Sequence, residues 1–495
     1  MGILLTDLLK GILPLPDGLP AGLPRGFDQS IEGLALDSRL VRPGDLFFAC
    51  AGSHTHGLQF VEEALHRGAV AVLLEGSTEQ SLRGTVPILG LPTLADTLGI
   101  IAARFYGHPA RAMTLLGVTG TNGKTSITHL LAQILDRCTV VGTLGVGFLE
   151  QLTPATHTTP NAIALQKILA DFVRQEVRAV AMEVSSHALD QGRAVGVAFT
   201  VALFTNLTRD HLDYHGNMES YGRAKARLFH SPGLRYAVIN TDDEFGQALL
   251  RELPESVVGI GYGFSPDGSE RQVVGHDLSL SAEGIRMQVC TPWGSGTLES
   301  SLLGRFNALN LLAVLATLGG LGWTLEAALA ALSRVHAISG RMETLGGGST
   351  YPLVVVDYAH TPDALEQVLI TLRPLTKGRL WCVFGCGGER DRGKRPLMGS
   401  VVERLADVVV ITNDNPRTEE PADVVNAIVG GLCHPERAQV ILDRAEAIRY
   451  AIGSTTSGDV VLLAGKGHEQ YQQVRTEYLP FSDRLEAEKV LGLIG

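Results

Sequence analysis

Unbroken apolar runs, more than alternating ones, dominate the hydrophobic pattern of this chain. Runs of this kind predict strands covered on both faces, as in a parallel sheet packed between helices. A strand-like run over residues 44–49 precedes a helical pattern over 60–67 and a buried-strand run over 69–74, which together predict a small α/β unit. From Met113 the pattern becomes apolar strand, glycine loop and helix, with further apolar strands over 179–184, 201–204 and 237–240. A doubly wound middle domain is expected there. A turn-rich stretch at 337–340 interrupts the pattern, after which apolar runs recur at 353–357, 380–384, 408–412 and 460–464. These alternate with helical segments and predict a third domain of Rossmann-like topology. The fold class expected is therefore α/β in three domains, divided at 1–110, 111–337 and 338–495. No internal repeat or low-complexity tract is visible.

Composition narrows this picture. A chain of 495 residues with 45% hydrophobic content is long enough for about three cores at roughly 150 residues each. The net charge of -11 argues against nonspecific nucleic-acid binding, which draws on clustered cations. Any anionic ligand must be held locally. Six dispersed cysteines, with no CxxC pair, point to a reducing compartment. At the amino end the one basic residue, Lys10, follows the apolar stretch, the reverse of a signal peptide. Met1 to Thr6 match a short acylation pattern that recurs by chance. The longest apolar stretch, 311–323, is shorter than the ~20 residues that span a bilayer. A cytoplasmic, monomeric protein is expected, with no nucleic-acid partner and no membrane insertion.

The strongest chemical signal is Gly117-Val118-Thr119-Gly120-Thr121-Asn122-Gly123-Lys124-Thr125, between an apolar strand and a helix. Backbone N–H groups at such a helix start cradle phosphate, with Lys124 on the β- and γ-phosphates and the Thr125 hydroxyl able to ligate Mg²⁺. ATP binding is the expectation, and a plain glycine-rich turn is the alternative. The common pattern asks for glycine where Val118 stands. Glu183, at the end of a predicted strand, is placed for Mg²⁺ ligation beyond the carboxyl edge of a sheet. Residues 205–215 gather Asp210, His211, Asp213 and His215, compatible with a zinc site, Mg²⁺ ligation or a solvated loop. Asn307 and Asn310 lie at i and i+3, able to address a base edge or to cap a helix.

The spelling Gly120-Thr121-Asn122-Gly123-Lys124-Thr125 resembles the variant phosphate loop shared by the Mur ligases and the folylpolyglutamate synthases. The resemblance to the Mur ligases runs from Asp37 to Asp483 and implies further roles. His211 matches a ligand of a second Mg²⁺. Lys225, on a helix whose bland reading is a solvated basic face, matches a lysine carbamoylated by CO₂ to an N6-carboxylysine that holds Mg²⁺. Arg341 and Asp357 match contacts to phosphate and ribose of ATP. Leu36, Ser38, Ser53, His54, Thr55, His157, Thr158, Thr159, Ser185, Gln191 and Arg193 match positions that hold a UDP-linked substrate, with His157 where asparagine is common. The tetrapeptide Asp414-Asn415-Pro416-Arg417, with Arg390, Gly465 and Glu469, resembles the acceptor motif of the diaminopimelate-adding branch. There Arg417 would pair bidentately with a distal carboxylate that lysine lacks. The implied activity is amide formation between UDP-N-acetylmuramoyl-L-alanyl-D-glutamate and meso-diaminopimelate at the expense of ATP, through an acyl phosphate. A lysine-adding relative and a folylpolyglutamate synthase are the competing expectations. The latter lacks the amino-terminal unit and the Asp414 tetrapeptide. A P-loop switch without ligase activity explains the loop but leaves Lys225 and Arg417 idle.

Overall fold

The computed structural model describes residues 2–13, 29–52, 55–78, 80–281, 283–348 and 350–493. Its chain divides into two compact units, Met1–Gly117 with Asp136–Val201 and Arg227–Arg235, and Val118–Leu135 with Ala202–Ala226 and Tyr236–Gly495.

In the first unit a five-stranded sheet runs in the order Gly33–Ala35, Asp45–Ala49, Ala71–Glu75, Val86–Leu91, Gln80–Arg83. All neighbours are parallel except the last pair. The apolar run at 44–49 is unbroken because both faces are covered. Phe47 and Ala49 pack with Val61 and Ala64 of the helix Val61–His66, while Leu46 and Phe48 pack with Leu94, Leu98 and Ile101 of the helix Leu94–Phe105. The same unit holds the parallel pair Cys138–Gly142 and Ala179–Glu183, and the strand Thr114–Thr119, whose last two residues enter the second unit.

The second unit carries the strand Val201–Phe204 except its first residue, then Tyr236–Asn240 and Val258–Gly263 in order, then Gln272–Ser281, Gly284–Thr291 and Gly294–Ser300. These last three strands are joined antiparallel, an extension that the apolar runs do not predict. Their residues alternate between buried and exposed, as Ile285, Met287 and Val289 turn inward and Arg286 and Cys290 outward. The apolar stretch at 311–323 belongs mostly to the helix Arg305–Gly320, buried over nearly its whole circumference. No helix among the described residues is long and apolar enough to cross a membrane.

A further sheet in this unit has the order Glu343–Gly346, Leu353–Asp357, Val460–Ala464, Leu380–Phe384, Val408–Ile411, Gln439–Val440, parallel after its first strand. Helices Pro362–Leu372, Lys394–Leu405 and Pro421–Val429 cover one face, and Arg444–Gly453 with Asp483–Val490 cover the other. On that second face Arg444 and Asp483 form an ion pair with both side chains 0% exposed. The guanidinium donates to both Asp483 oxygens at 2.7 and 2.6 Å, to the Asn413 carbonyl at 3.2 Å and to the Ala464 carbonyl at 2.9 Å.

Removing one member of such a pair leaves the other charged and buried, at a cost of about 3–5 kcal/mol. Arg444→Met is expected to lose that much stability in urea unfolding. Arg444→Met with Asp483→Leu should recover part of it, because no charge is then stranded.

Candidate active site

The phosphate loop links strand Thr114–Thr119 to helix Lys124–Ile134. Two of its glycines are obligatory in different ways. Gly123 begins the helix at φ 87°, and Gly120, at φ 143°, lies so close to Thr205 that a Cβ would collide with Oγ1. Residues 205–208 buttress the loop. The Thr205 hydroxyl donates to the Asn122 carbonyl at 2.6 Å, Asn206 Oδ1 accepts from the Asn122 N–H at 2.9 Å, and the Thr121 hydroxyl donates to the Thr208 carbonyl at 3.1 Å. The Lys124 ammonium is drawn over the loop, donating to the carbonyls of Gly120 and Thr121 at 2.9 Å each.

Lys225 lies in the last turn of the helix Met218–Ala226 and is 1% exposed. Its Nζ donates to the Gly120 carbonyl at 2.9 Å and lies 4.2 Å from the centre of the Tyr221 ring. Burial pushes this amine well below the usual lysine range, the Lys124 charge pushes the same way, and Asp210 opposes both. A neutral amine is what that environment favours.

His211 takes a left-handed backbone, φ 54°, with Nε2 3.5 Å from Asp210. Asp210 is the hub of a cluster that local sequence does not foretell. Its carboxylate faces the Lys394 ammonium at 3.3 Å and His360 Nε2 at 3.8 Å. Burial alone would raise Asp210, but the His360 hydrogen bond and the Lys394 and His211 charges hold it well below the ordinary carboxylate range.

A cavity of about 450 Å³ opens beside the loop, lined by Asn122, Gly123, Asn310, Arg341, Asp357 and Asp363 among others. Asn307 does not cap its helix, whose N-cap is Gly304. Its amide donates to the Leu303 carbonyl at 2.9 Å, and its Oδ1 accepts from Asn310 at 3.1 Å, so Asn307 orients the asparagine that lines the cavity. Arg341 donates to the Thr125 hydroxyl at 3.2 Å and lies 4.4 Å from the centre of the Tyr358 ring. Asp357 accepts from the backbone N–H groups of Met342 and Ala359, both at 2.8 Å, and burial raises its pKa. Asp363, assigned no role from sequence, accepts from the Asn122 side chain at 3.1 Å.

A second cavity, about 130 Å³, brings together Arg390, Asp414, Asn415, Arg417, Gly465 and Glu469, with His211. Pro416 does not line this cavity; its carbonyl lies so close to Gly388 that a Cβ there would collide with it. Arg417 has φ 54°. It is held there by the hairpin Tyr471–Val474 and Glu477–Pro480: its N–H donates to the Gln473 carbonyl at 3.2 Å, and its carbonyl accepts from Arg475 at 2.7 Å. The hairpin carries no signal in the apolar pattern. Arg395, 3% exposed and next in sequence to the cavity-lining Lys394, donates to both oxygens of Glu419 at 3.0 and 2.8 Å. The Arg395 hydrogen bond, aided by the Glu389 N–H, holds Glu419 down at about 2.

In the first unit Glu183 Oε1 accepts from the Thr143 N–H at 2.8 Å, and Oε2 from the Thr143 hydroxyl at 3.1 Å, which also bonds Thr158 at 3.1 Å. The Thr159 hydroxyl donates to the Glu183 carbonyl at 2.8 Å and accepts from the Ser185 N–H at 3.1 Å. Arg193 donates to the Thr159 carbonyl and to Gln191, at 3.1 and 2.5 Å. Six expected residues thus form one network around Thr143, a residue that the sequence does not single out. His157 is exposed, and its Nδ1 meets the Thr156 hydroxyl at 3.1 Å. Ser38 donates to Glu63 at 2.6 Å, Leu36 packs against the sheet core and Thr55 is exposed. Ser53 and His54 lie outside the described residues.

These features have counterparts. The chain matches the Mur ligase family, catalytic domain over residues 30–106, the Mur ligase middle domain over 118–318 and the Mur ligase, glutamate ligase domain over 340–467. The chain belongs to the Mur ligase family. Similar to it is the UDP-N-acetylmuramoyl-L-alanyl-D-glutamate--2,6-diaminopimelate ligase of Ectopseudomonas mendocina, 52% identical over 93% of this chain and 95% of its own. The ligase of the same name from Pseudomonas aeruginosa is 49% identical over 96% and 99%. A solved structure bearing that name matches with a TM-score of 0.70 at 35% identity, covering 100% of this chain and 99% of its own. A Mycobacterium tuberculosis folylpolyglutamate synthase complexed with ADP shares the fold, with a TM-score of 0.61 at 19% identity over 74% of this chain and 91% of its own.

The Arg395–Glu419 pair gives a pH-dependent expectation. Because the folded carboxyl sits at about 2 against an ordinary 4.5, its contribution is complete above pH 4.5 and lost as pH falls toward 2. Urea unfolding should show Glu419→Gln less stable than wild type by about 1.5–3 kcal/mol near neutrality. The two proteins should converge as the medium is acidified. A gap independent of pH would contradict the pairing.

Proposed function

We propose that this chain is an ATP-dependent ligase that joins meso-2,6-diaminopimelate to the D-glutamate of UDP-N-acetylmuramoyl-L-alanyl-D-glutamate in bacterial peptidoglycan precursor synthesis. The observation that carries the reading is the acceptor cavity. Arg417 and Arg390 line it beside Glu469, a set of charges complementary to an amino acid ending in both a carboxylate and an ammonium. Near-complete coverage by ligases of that name supports it.

The chemistry proceeds by transfer of the ATP γ-phosphoryl group to the side-chain carboxylate of D-glutamate. The acceptor amine attacks the resulting acyl phosphate and phosphate departs. Gly120 to Thr125 cradle the nucleotide phosphates, Lys124 adds a fixed cation, and Arg341 reaches the same region. Asn310 faces the base, with Asn307 behind it, and Asp357 takes the ribose side. Leu36, Ser38, Ser53, His54, Thr55, His157, Thr158, Thr159, Ser185, Gln191 and Arg193 serve the UDP substrate. Asp414, Asn415, Pro416, Gly465 and Glu469 complete the acceptor site with the two arginines.

Mg²⁺ would find hard donors of the kind it prefers in the Thr125 hydroxyl and a carbamate on Lys225, with His211 as a further ligand, all in the second unit, and in the Glu183 carboxylate of the first unit. When bound it offsets the negative charge that collects on phosphate and acyl oxygens. The buried environment of Lys225 supports carbamoylation. Only an uncharged amine has the lone pair that attacks CO₂, and burial favours that form. Domain limits at 110 and 337, a monomeric state and a cytoplasmic setting complete the proposal.

The reading is tested by phosphate release from the full chain, which must require ATP, the UDP-dipeptide and diaminopimelate together. Lys225→Ala should be nearly inactive and regain partial activity when a short carboxylic acid is added, its oxygens replacing those of the carbamate. An alanine variant with full activity excludes that role. Arg417→Ala should lose about 2–5 kcal/mol of acceptor recognition. The preference for diaminopimelate over lysine then shrinks tenfold or more, with ATP and UDP-dipeptide constants hardly moved. An unchanged preference ratio would make Arg417 a turn residue only.

A further inference from the structure

Lys466 is 0% exposed although it carries an ammonium. Its neighbours explain how it is turned inward. Gly465 at φ 113° and Gly467 at φ 52° flank it, and a Cβ on either would stand 2.5 Å from Asp414 Oδ2 or 2.7 Å from the Gly340 carbonyl. The Gly-Lys-Gly spelling is thus what lets the chain pass close enough to Asp414 to bury the lysine.

The buried Nζ makes two hydrogen bonds and one longer ion pair. It donates to Glu469 Oε2 at 2.8 Å and to Asn415 Oδ1 at 3.1 Å, and lies 4.0 Å from Asp414 Oδ1. Asn415 returns its amide to the same Glu469 Oε2 at 2.9 Å, while its Oδ1 also accepts the Gln473 N–H at 2.8 Å. Both side-chain donors therefore arrive on one oxygen of Glu469. The carboxylate is pinned by Oε2 while the residue lines the cavity shared with Arg390 and Arg417. Lys466 also stands between two carboxylates, Asp414 and Glu469, whose charges would otherwise repel one another and the carboxylate of an incoming acceptor.

We infer that Lys466 is a positioning residue for acceptor selection, holding Glu469 Oε2 so that Oε1 meets the distal ammonium of the acceptor. This rests on the ligase reading above. It separates Lys466 from a lysine that merely fills the core, because its effect must depend on whether the acceptor has that ammonium.

The experiment compares diaminopimelate with 2-aminopimelate, which keeps the reacting amine and both carboxylates but lacks the distal amine. Wild type, Lys466→Met, Glu469→Gln and the double variant are assayed as full chains with ATP and UDP-dipeptide. In Lys466→Met the KM for diaminopimelate should rise about tenfold or more, with kcat and the KM for 2-aminopimelate changing less than roughly threefold. The double variant should be no worse than the poorer single variant, since both act through one contact. Equal losses for the two acceptors, or an unchanged ratio between them, overturn the inference. If Lys466→Met does not fold, Lys466→Gln, which retains a donor without the charge, is put through the same comparison with the same criteria. Wild type that ligates neither acceptor overturns the ligase reading itself, a result distinct from a preserved ratio.

Discussion

The guanidinium of Arg444 holds two backbone carbonyls, those of Asn413 and Ala464, at the carboxyl ends of two strands of the last sheet. The residues after them, Asp414 and Gly465, begin the two loops that build the acceptor cavity. Each loop therefore starts from the same buried cation. A guanidinium without a counterion could not stay in an apolar layer, so Asp483, brought in by the final helix, is what permits the arrangement. The position of the acceptor loops thus depends on a helix that contributes no residue to the cavity lining. The phosphate loop is fixed by different means, the close approach of Gly120 to Thr205.

The parallel part of the fold was legible because burial on two faces writes itself as unbroken apolar runs. The runs at 201–204, 353–357, 380–384 and 460–464 correspond to strands with the same bounds. The antiparallel extension over 272–300 was not legible. One face of it is covered, by the helices Arg305–Gly320 and Leu325–Leu332, and its other face carries His276, Asp277 and Arg286. Half of its residues therefore look like loop. The edge strand Gln80–Arg83, mostly exposed, escaped for the same reason.

At the site, residues contiguous in sequence were visible and those assembled through space were not. Gly120 to Thr125 and Asp414 to Arg417 each announce themselves in one short segment. Lys394 becomes significant only because Asp210, 184 positions away, faces it. Thr143 gains its place from Glu183, and Asp363 from Asn122. Lys466 lies between Gly465 and Glu469, both named from the sequence, yet its burial could not be read from lysine's usual exposure. The left-handed backbones of His211, Met342, Glu389 and Arg417 were also hidden, since bulky side chains disfavour that region.

For Arg417 that conformation carries a cost. The left-handed region disfavours a non-glycine residue by roughly 1–2 kcal/mol, and here the hairpin backbone imposes it. Glycine or asparagine at this position would relieve the strain and remove the charge. Selection for thermal robustness and selection for acceptor choice therefore pull position 417 in opposite directions, a stability–activity trade-off confined to one residue. A library ranked by melting temperature would discard the arginine first, and one ranked by product formed would keep it.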